Sequence, residues 1–310
     1  MSQSLAHAVE SSAPPDVDAN LASFARHLRA ENKAPSTITT YSKAVVQLDD
    51  HLHAVGMPRA VAAIHREHVE AFLVALQDRG ARPATVSQRY RSLQQFFKWL
   101  EGEGEITVSP MARMKPPAVP VEPPEVLRDD DFRAILKACS GFDFEDRRDT
   151  AVLRLFLDTG MRRGELAGLR LADIDFDHDT AIVMGKGRRP RICPFGRKTA
   201  QALDRYLRVR GRHPHAESEW MWVGRRGRLT DTGVEQLVKR RAAQAGLVGV
   251  HPHLFRHSYA HAMLADGMQE GDLMSLGGWK SRQMLDRYGA SAKAERARDA
   301  YRVHSPGDRL

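Results

Sequence analysis

The chain reads His251-Pro252-His253-Leu254-Phe255-Arg256-His257, then Leu276-Gly277-Gly278-Trp279, then Asp286-Arg287-Tyr288, and this segment decides how the rest is interpreted. Proline is favoured in the first turn of a helix, where its missing N–H costs no hydrogen bond. Pro252 therefore predicts a helix on which His253 and Arg256, three residues apart, share one face. A proton carrier and a permanent cation would then point at one ligand.

The second half of this segment is predicted to present a tyrosine to the same ligand. The glycine pair Gly277-Gly278 predicts the end of the next helix. Residues 281–287 are predicted to form a short helix that delivers Tyr288 just before Gly289. A tyrosine beside arginine and histidine is typical of phosphate chemistry with a phenolic nucleophile.

Length and charge limit the class of protein. At 310 residues the chain is longer than a typical single domain, which favours two domains. Its 47 Lys and Arg residues exceed its 39 Asp and Glu residues, so the formal net charge is +8 and the isoelectric point is about 9.7. This balance indicates a polyanionic partner, either nucleic acid or an acidic membrane surface.

The sequence lacks the usual signals for export, membrane insertion and cysteine chemistry. It has no apolar run of about 18 residues, and its start, Met1-Ser2-Gln3-Ser4, lacks the basic and apolar parts of a signal peptide. The two cysteines, Cys139 and Cys193, have no spacing typical of a disulfide framework or a metal site. We therefore expect a cytoplasmic protein.

The first half of the chain is predicted to be a helical domain. Residues 17–112 show helical periodicity and need no strand, whereas residues 1–16 are polar and predict a disordered arm. Basic residues are predicted on the outer faces of the helices, namely Lys33, Lys43, Arg89, Arg91 and Lys98. Six of the 16 prolines, at 110, 116, 117, 120, 123 and 124, predict a semi-rigid linker over residues 113–124.

Residues 125–310 are predicted to be mainly helical with a small sheet. The predicted helices cover residues 129–136, 149–157, 161–169, about 197–209 and 231–245, and between the third and fourth lie a predicted turn at 173–175 and predicted strands over 181–184 and 191–194. The helix over 161–169 places Arg162 and Glu165 on one face. The two strands form a β-hairpin whose tip is cationic.

Five boxes follow one another along this second half, namely Thr159-Gly160-Met161-Arg162-Arg163-Gly164-Glu165, Gly185-Lys186-Gly187, His253-Leu254-Phe255-Arg256-His257, Leu276-Gly277-Gly278-Trp279 and Tyr288. Their order resembles that of the tyrosine recombinases, also called the phage integrase family. Lys186 follows Arg162 by 24 residues, and Tyr288 follows Trp279 by nine. One such box is weak evidence for a family, but five boxes in the right order are specific evidence.

The resemblance covers the chain from about residue 17 and implies a mainly α fold. The implied fold has an N-terminal helical core-binding (SAM-like) domain, 17–112, and a mixed, mostly helical catalytic domain with a small antiparallel sheet, 125–310, which ends in a protomer-docking tail. The implied function is a site-specific DNA recombinase or integrase that cuts and rejoins duplex DNA through a 3′-phosphotyrosine intermediate, without metal, ATP or another cofactor.

The resemblance also implies the partners. These are double-stranded DNA and further copies of the chain, assembled as a tetramer in the synapse with exchange of C-terminal tails. No membrane partner is implied. We therefore expect the protein to be associated with the nucleoid.

The residues implied to be catalytic are Arg162, Lys186, His253, Arg256, Trp279 and Tyr288, with Tyr288 as the nucleophile. Chemistry supports these roles, because an attacked phosphodiester concentrates charge on its non-bridging oxygens and two permanently charged guanidinium groups can stabilise it without a metal. A phenol, with an ordinary pKa near ~10, must lose its proton to attack, and His253 is the candidate base. Lys186 can protonate the departing 5′-oxygen.

Some of these residues, and some of their neighbours, allow other interpretations. Trp279 stands where the family usually has a histidine, so a ring N–H donor is kept but no proton carrier. His253, His257 and His261 have helical spacing that could hold a metal, yet no H-E-x-x-H arrangement or cysteine accompanies them. Otherwise His257 is predicted to be a packing or phosphate-side residue.

Three further side chains compete with or support the implied set. Arg163 is predicted to stay solvated, leaving Arg162 as the phosphate ligand. Tyr301, a rival nucleophile, is predicted to pack on a separate amphipathic helix. Glu165 is predicted to orient Arg162 or to cap the fold.

Two other functions share the fold. One is a catalytically inactive DNA-binding protein with an architectural or regulatory role, and the other is a nicking and resealing enzyme like the type IB topoisomerases. The intact set of implied catalytic residues favours the recombinase over the inactive protein.

Overall fold

The structure, a computed structural model, describes residues 16–120, 124–185 and 190–310, except for the side chains of residues 284, 287, 290, 291, 299 and 300. It divides into two compact units between residues 120 and 121. That division lies inside the predicted linker, and the finer domain bounds stay a prediction. The predicted arm, apart from Asp16, lies outside the described residues. Within the described ranges, no helix is long and apolar enough to cross a membrane.

The first unit is helical, as predicted. Its α-helices are α1 (Val17–Ala30), α2 (Pro35–Ala54), α3 (Arg66–Asp78) and α4 (Pro83–Gly102), with a short 3₁₀ turn at Val61–Ala63. Proline begins both α2 and α4, where its fixed φ suits the first turn. The core of this unit contains Phe24, whose ring lies 5.3 Å from those of Phe96 and Trp99. Arg89 was wrongly predicted on the outer face, since it is buried and donates to Gln47 at 2.6 Å.

The second unit is mostly helical with two small antiparallel sheets, so the predicted fold class is confirmed. Its helices are α5 (Asp129–Lys137), α6 (Phe144–Thr159), α7 (Arg163–Ala167), α8 (Arg197–Arg210), α9 (Asp231–Gln244), α10 (Pro252–Ala265), α11 (Glu270–Gly277) and α12 (Gln283–His304). Its strands are β1 (Ile174–Asp175), β2 (Thr180–Met184), β3 (Pro190–Pro194), β4 (Val223–Gly224) and β5 (Gly227–Arg228).

The larger sheet has the order β1-β2-β3. Residues 173–175 were predicted as a turn, but Ile174 and Asp175 pair with β2 as an edge strand. In the β2–β3 hairpin Val183 lies opposite Arg191. Alternation along β3 turns Arg191 and Cys193 towards the protein, while Ile192 between them is 59% exposed. The hairpin tip, including Lys186, lies outside the described residues.

Helix α6 begins earlier than predicted because its first turns bury charge instead of apolar side chains. Asp143 caps the helix by accepting from the N–H of Asp146 at 2.7 Å. Asp149 is fully buried and accepts from Arg148 at 2.8 Å and from Arg240 and Arg241 of α9, each at 2.7 Å. A buried carboxylate persists where such partners compensate its charge. These ion pairs fix α6 against α9.

The C-terminal segment differs most from its prediction. One continuous helix, α12, carries both Tyr288 and Tyr301, whereas two separate helices were predicted. Leu285, Tyr288 and Ala292 form a buried stripe at helical spacing and pack with residues of α10 and α11. A glycine inside a helix costs only about 1 kcal/mol, so this packing outweighs the helix-breaking tendency of Gly289.

Candidate active site

Four helices meet where the predicted catalytic side chains gather. The turn between α6 and α7 supplies Arg162, α10 supplies Arg256, and α12 supplies Tyr288. The C-terminal end of α11 contacts both arginines through backbone carbonyls. The structure therefore brings together four of the six predicted residues around one helix end, because Trp279 directly follows α11 and contacts Arg256.

Arg256 is buried and fixed by the backbone on two sides. Its side chain donates to the carbonyl of Gly160 and to that of Gly277, each at 2.7 Å. Burial, with Arg162 nearby, lowers the pKa of Arg256 to about 10, so the guanidinium remains charged at neutral pH. A guanidinium has more N–H donors than these two bonds use, so Arg256 can still bind an anion.

Arg162 is held by a carboxylate and by a carbonyl. It donates through Nη1 to Glu165 at 2.8 Å and through Nη2 to the carbonyl of Gly278 at 3.1 Å. The backbone N–H of Arg162 also donates to Glu165, at 2.7 Å, which caps the start of α7. Glu165 therefore both orients Arg162 and caps the helix, the two alternatives that the sequence left open.

Arg191, which the sequence analysis did not single out, joins this cluster from β3. Its side chain makes a two-pronged bond to Glu165, at 2.9 Å and 2.7 Å, and donates to the carbonyl of Leu276 at 2.9 Å. Burial favours a raised pKa for Glu165, but the hydrogen bonds from Arg191 and Arg162 outweigh it and bring the pKa to about 2. Glu165 is therefore ionised at any working pH.

The end of α11 presents three consecutive carbonyls, each to a different arginine. Leu276 accepts from Arg191, while the two following residues, 277 and 278, accept from Arg256 and Arg162. The last carbonyls of a helix have no partner within the helix, and they form the negative end of its dipole. This end therefore satisfies its own acceptors by orienting three cations.

Two glycines allow this close approach. A Cβ atom on Gly277 would lie 1.7 Å from the ring of Trp279, so no larger residue fits without moving that ring. Gly278 ends the helix with a φ of +65°, a conformation that glycine adopts readily. A Cβ atom there would also lie 3.2 Å from the guanidinium of Arg191.

Trp279 packs against Arg256. The guanidinium carbon of Arg256 lies 3.9 Å from the centre of the Trp279 ring system, a cation–π contact that also shields the charge from water. The ring of Tyr288 lies 6.4 Å away in an edge-to-face arrangement. Trp279 therefore contacts the guanidinium of Arg256 and lies beside the ring of Tyr288.

Tyr288 is 5% exposed and in contact with a histidine. Its hydroxyl shares a hydrogen bond with Nδ1 of His257. The ring of His257 in turn stacks on that of His253, with 6.1 Å between ring centres. The histidine that contacts Tyr288 in this conformation is thus His257, while the predicted base, His253, lies one ring further away.

His253 lies at the start of α10 and keeps part of its surface exposed, although its neighbours cover the ring in part. Desolvation of the ring, together with the positive charges of His251 and Arg256, lowers its pKa. Lowering the pKa of a histidine keeps the imidazole neutral at pH 7, the form that accepts a proton.

The other predicted residues have varied outcomes. Lys186 lies outside the described residues. Arg163 was predicted to stay solvated, but it pairs with Glu235 and, at 3.0 Å, with Asp231, both on α9. The reason is proximity, because α7 and α9 pack together. Tyr301 was predicted to pack on a separate helix, but it lies on α12 with Tyr288 and is 62% exposed.

A metal site on α10 finds no support in the described part of the chain. There, no group of three or more histidine, cysteine or acidic side chains could hold a metal ion. His261 instead lies 3.4 Å from Glu295 of α12, and His257 contacts Tyr288.

The sequence offered a weak signal for one of the residues it missed. Strand alternation places Arg191 on the same face as the buried Cys193, so an inward-facing arginine was foreseeable. Its partner, Glu165, lies 26 residues earlier and no local pattern links the two. For His257, the spacing from Arg256 gave no indication of the contact with Tyr288, because that contact depends on how α12 packs.

Two family models match the chain. One, described as "Phage integrase family", matches residues 125–295, and the other, described as "Phage integrase, N-terminal SAM-like domain", matches residues 21–104. The first contains all the predicted catalytic positions.

Curated relatives agree with these matches. The chain is 29% identical over 291 residues to "Tyrosine recombinase XerC" of Oceanobacillus iheyensis, which covers 91% of this chain and 94% of the relative. It is 32% identical over 241 residues to "Tyrosine recombinase XerC" of Corynebacterium efficiens, covering 77% of each.

A solved structure shares the fold. A lambda integrase tetramer bound to a Holliday junction aligns with a TM-score of 0.69 at 18% identity, covering 88% of this chain and 80% of that one. The catalytic family model spans more than half of the chain, and a relative above 30% identity covers more than two thirds of it. This protein therefore belongs to the phage integrase family.

Proposed function

We propose that the protein is a site-specific recombinase that breaks and rejoins duplex DNA through Tyr288, at the nucleoid and without a metal or ATP. The observation that carries the proposal is the meeting of Arg162, Arg256 and Tyr288 around the end of α11. The relatives named tyrosine recombinase, and a similar fold bound to a Holliday junction, support it.

The two arginines supply the charge that the reaction needs. The hydroxyl oxygen of Tyr288 attacks phosphorus, and the bond to the 5′-oxygen breaks, leaving a 3′-phosphotyrosine and a 5′-hydroxyl. Negative charge gathers on the non-bridging oxygens, where Arg162 and Arg256 donate from fixed positions. Donors that are already oriented need no rearrangement during the reaction, and losing one typically slows an enzyme by about 10²–10³-fold.

Two protons must move. We assign the proton of the attacking phenol to His253, which is exposed beside the arginines and neutral at pH 7 because its pKa is lowered. His257 holds the hydroxyl of Tyr288 in the conformation described here. Lys186, which lies between β2 and β3 in the sequence, gives a proton to the 5′-oxygen as it leaves, and resealing reverses both transfers.

Replacing the nucleophile should abolish covalent chemistry but preserve binding. We expect Tyr288→Phe to form no covalent adduct on a nicked suicide duplex while keeping its affinity for that duplex, because the arginines are unchanged. The duplex for this test is chosen from a library of random DNA sequences as the one on which the wild-type chain forms the most adduct. Adduct is measured by denaturing electrophoresis. Tyr301→Phe, on the same helix, is the matched control and should match the wild type. Adduct formed by Tyr288→Phe, or loss of adduct in Tyr301→Phe, would refute the assignment of Tyr288 as the nucleophile. If the wild-type chain binds DNA without forming adduct, the protein is a DNA-binding protein and not a recombinase.

Replacing His253 or His257 should change the pH dependence of the cleavage rate in different ways. The cleavage rate should fall as pH decreases through the pKa of His253, below the ordinary value of about 6.5, because the protonated ring cannot accept the phenol's proton. His257→Ala should keep this acid limb, whereas His253→Ala should be slow and lose it. An acid limb that disappears in His257→Ala and persists in His253→Ala would make His257 the base.

Lys186 should matter only when the leaving oxygen needs a proton. We expect Lys186→Ala to be slowed on the order of 10²-fold on an ordinary duplex, in the range typical of general acid catalysis. On a duplex with a 5′-bridging phosphorothiolate, whose sulfur leaves unprotonated, the rate should largely recover. Equal slowing on both duplexes would exclude the general-acid role.

We further propose that the protein assembles on DNA as a tetramer through the end of α12. The early part of this helix is buried within its own unit, at Leu285, Tyr288 and Ala292. Its last turn exposes Tyr301 by 62% and Val303 by 78%. Exposed apolar side chains at the end of a helix suit a neighbouring copy.

Disrupting this exposed end should affect assembly but not single-site binding. We expect the double substitution Tyr301→Ser and Val303→Asp to bind one half-site like the wild type but to lose cooperativity on paired half-sites, measured by gel shift. Val248→Asp, at a residue that is 98% exposed elsewhere in the unit, is the control and should keep cooperativity. Undiminished cooperativity in the tail variant would rule out this docking role.

A further inference from the structure

Arg191 makes contacts that fit a role in the chemistry although it need not touch DNA. We propose, building on the function above, that Arg191 is a positioning residue that compensates the negative charge of Glu165. The carboxylate can then orient Arg162 without cancelling the positive charge that Arg162 offers to the phosphate. The proposal rests on how the side chains of two arginines share the carboxylate of Glu165.

Each oxygen of Glu165 accepts from both arginines. Oε1 accepts from the side chains of Arg162 and Arg191, at 2.8 Å and 2.9 Å. Oε2 accepts from the backbone N–H of Arg162 and from the side chain of Arg191, both at 2.7 Å. With its acceptor positions taken in this way, the carboxylate cannot turn to form a two-pronged pair with Arg162.

Charge arithmetic shows what Arg191 contributes. Two guanidinium groups and one carboxylate leave one net positive charge, whereas Arg162 and Glu165 alone would be a neutral pair. A neutral pair would oppose the charge stabilisation for which a phosphoryl-transfer site needs its cations. Arg191 is therefore the group that allows a carboxylate to orient Arg162 without cancelling its charge.

The position of Arg191 fits this role better than direct contact with DNA. Its side chain is 11% exposed, and that of Glu165 is 7% exposed. The Nε atom of Arg191 also donates to the carbonyl of Leu276, beside the two carbonyls that hold the other arginines. Arg191 is thus fixed on two sides and faces its partners, not the solvent.

The decisive test removes first the positive charge of Arg191 and then the negative charge of Glu165. Arg191→Met should lower the rate of adduct formation on the order of 10²-fold, the cost typical of losing one fixed cationic donor. DNA affinity should be nearly unchanged, because the side chain is buried. Adding Glu165→Gln to Arg191→Met should recover most of the lost rate, since the uncompensated carboxylate is then gone. A double variant as slow as Arg191→Met, or slower, overturns the proposal.

Two further variants separate charge from packing. Arg191→Lys keeps the positive charge and should react well above the rate of Arg191→Met, and a lysine variant as slow as the methionine variant also overturns the proposal. Arg210→Met is the matched control, because Arg210 is a buried arginine of the same unit that bonds the carbonyls of Ala216 and Ser218 instead of a carboxylate. Its rate per folded molecule should equal that of the wild type.

The response to pH gives a readout that packing alone would not change. Without Arg191, the Glu165 carboxyl loses hydrogen bonds that lower its pKa, so it takes up a proton at higher pH and its negative charge disappears. The rate of Arg191→Met, divided by that of the double variant, should therefore rise towards one as pH falls. The double variant shares every other titrating group, so a ratio that stays constant with pH contradicts the proposal.

The unfolding temperature of the variants gives a test that does not depend on activity. An uncompensated buried charge is strongly destabilising, so Glu165→Gln should raise the unfolding temperature of Arg191→Met. If the wild-type chain forms no adduct on any duplex, the proposed function is refuted. The unfolding temperatures would then still test whether Arg191 compensates the charge of Glu165. A double variant that unfolds at or below the temperature of Arg191→Met would overturn that compensation.

Discussion

Positive charge held at one helix end is the constraint on which the candidate site depends. Arg162, Arg191 and Arg256 lie close enough to bond three successive carbonyls at residues 276–278. Like charges so close together repel, and inside a protein that repulsion is stronger than in water. The dipole of α11 and the carboxylate of Glu165 offset it. Without these two negative elements, the arginines would separate or would be pulled towards other acceptors.

The same constraint explains the Leu-Gly-Gly sequence. The carbonyls of residues 276–278 can approach three guanidinium groups only if the backbone turns sharply and nothing projects into the space. Gly278 provides the turn with its positive φ, and Gly277 provides the space for the ring of Trp279. Trp279 then covers Arg256, which keeps that guanidinium away from water. The glycines that were predicted simply to end a helix therefore also shape the site.

The sequence could predict those features that local patterns encode. Pro252 located the start of α10, and the order of the boxes indicated which arginines would meet. The fold class followed from the same patterns. Contacts that depend on side chains from distant elements left no such signal. Arg191 of β3 and Glu165 of α7 are 26 residues apart in the chain and meet only in the folded unit, and the charged start of α6 is buried only because α9 supplies two arginines.

The continuity of α12 was the least predictable feature, and it has a consequence for how assembly relates to chemistry. Gly289 suggested a break after Tyr288, but packing of the buried stripe outweighs one glycine. Tyr288 and Tyr301 consequently lie on one helix, thirteen residues or about 20 Å apart at 1.5 Å per residue. A neighbour that bound the exposed end would therefore contact the same helix that positions Tyr288. Cutting the chain between the two tyrosines would not separate these effects, because Ala292, just beyond Tyr288, is itself part of the buried stripe.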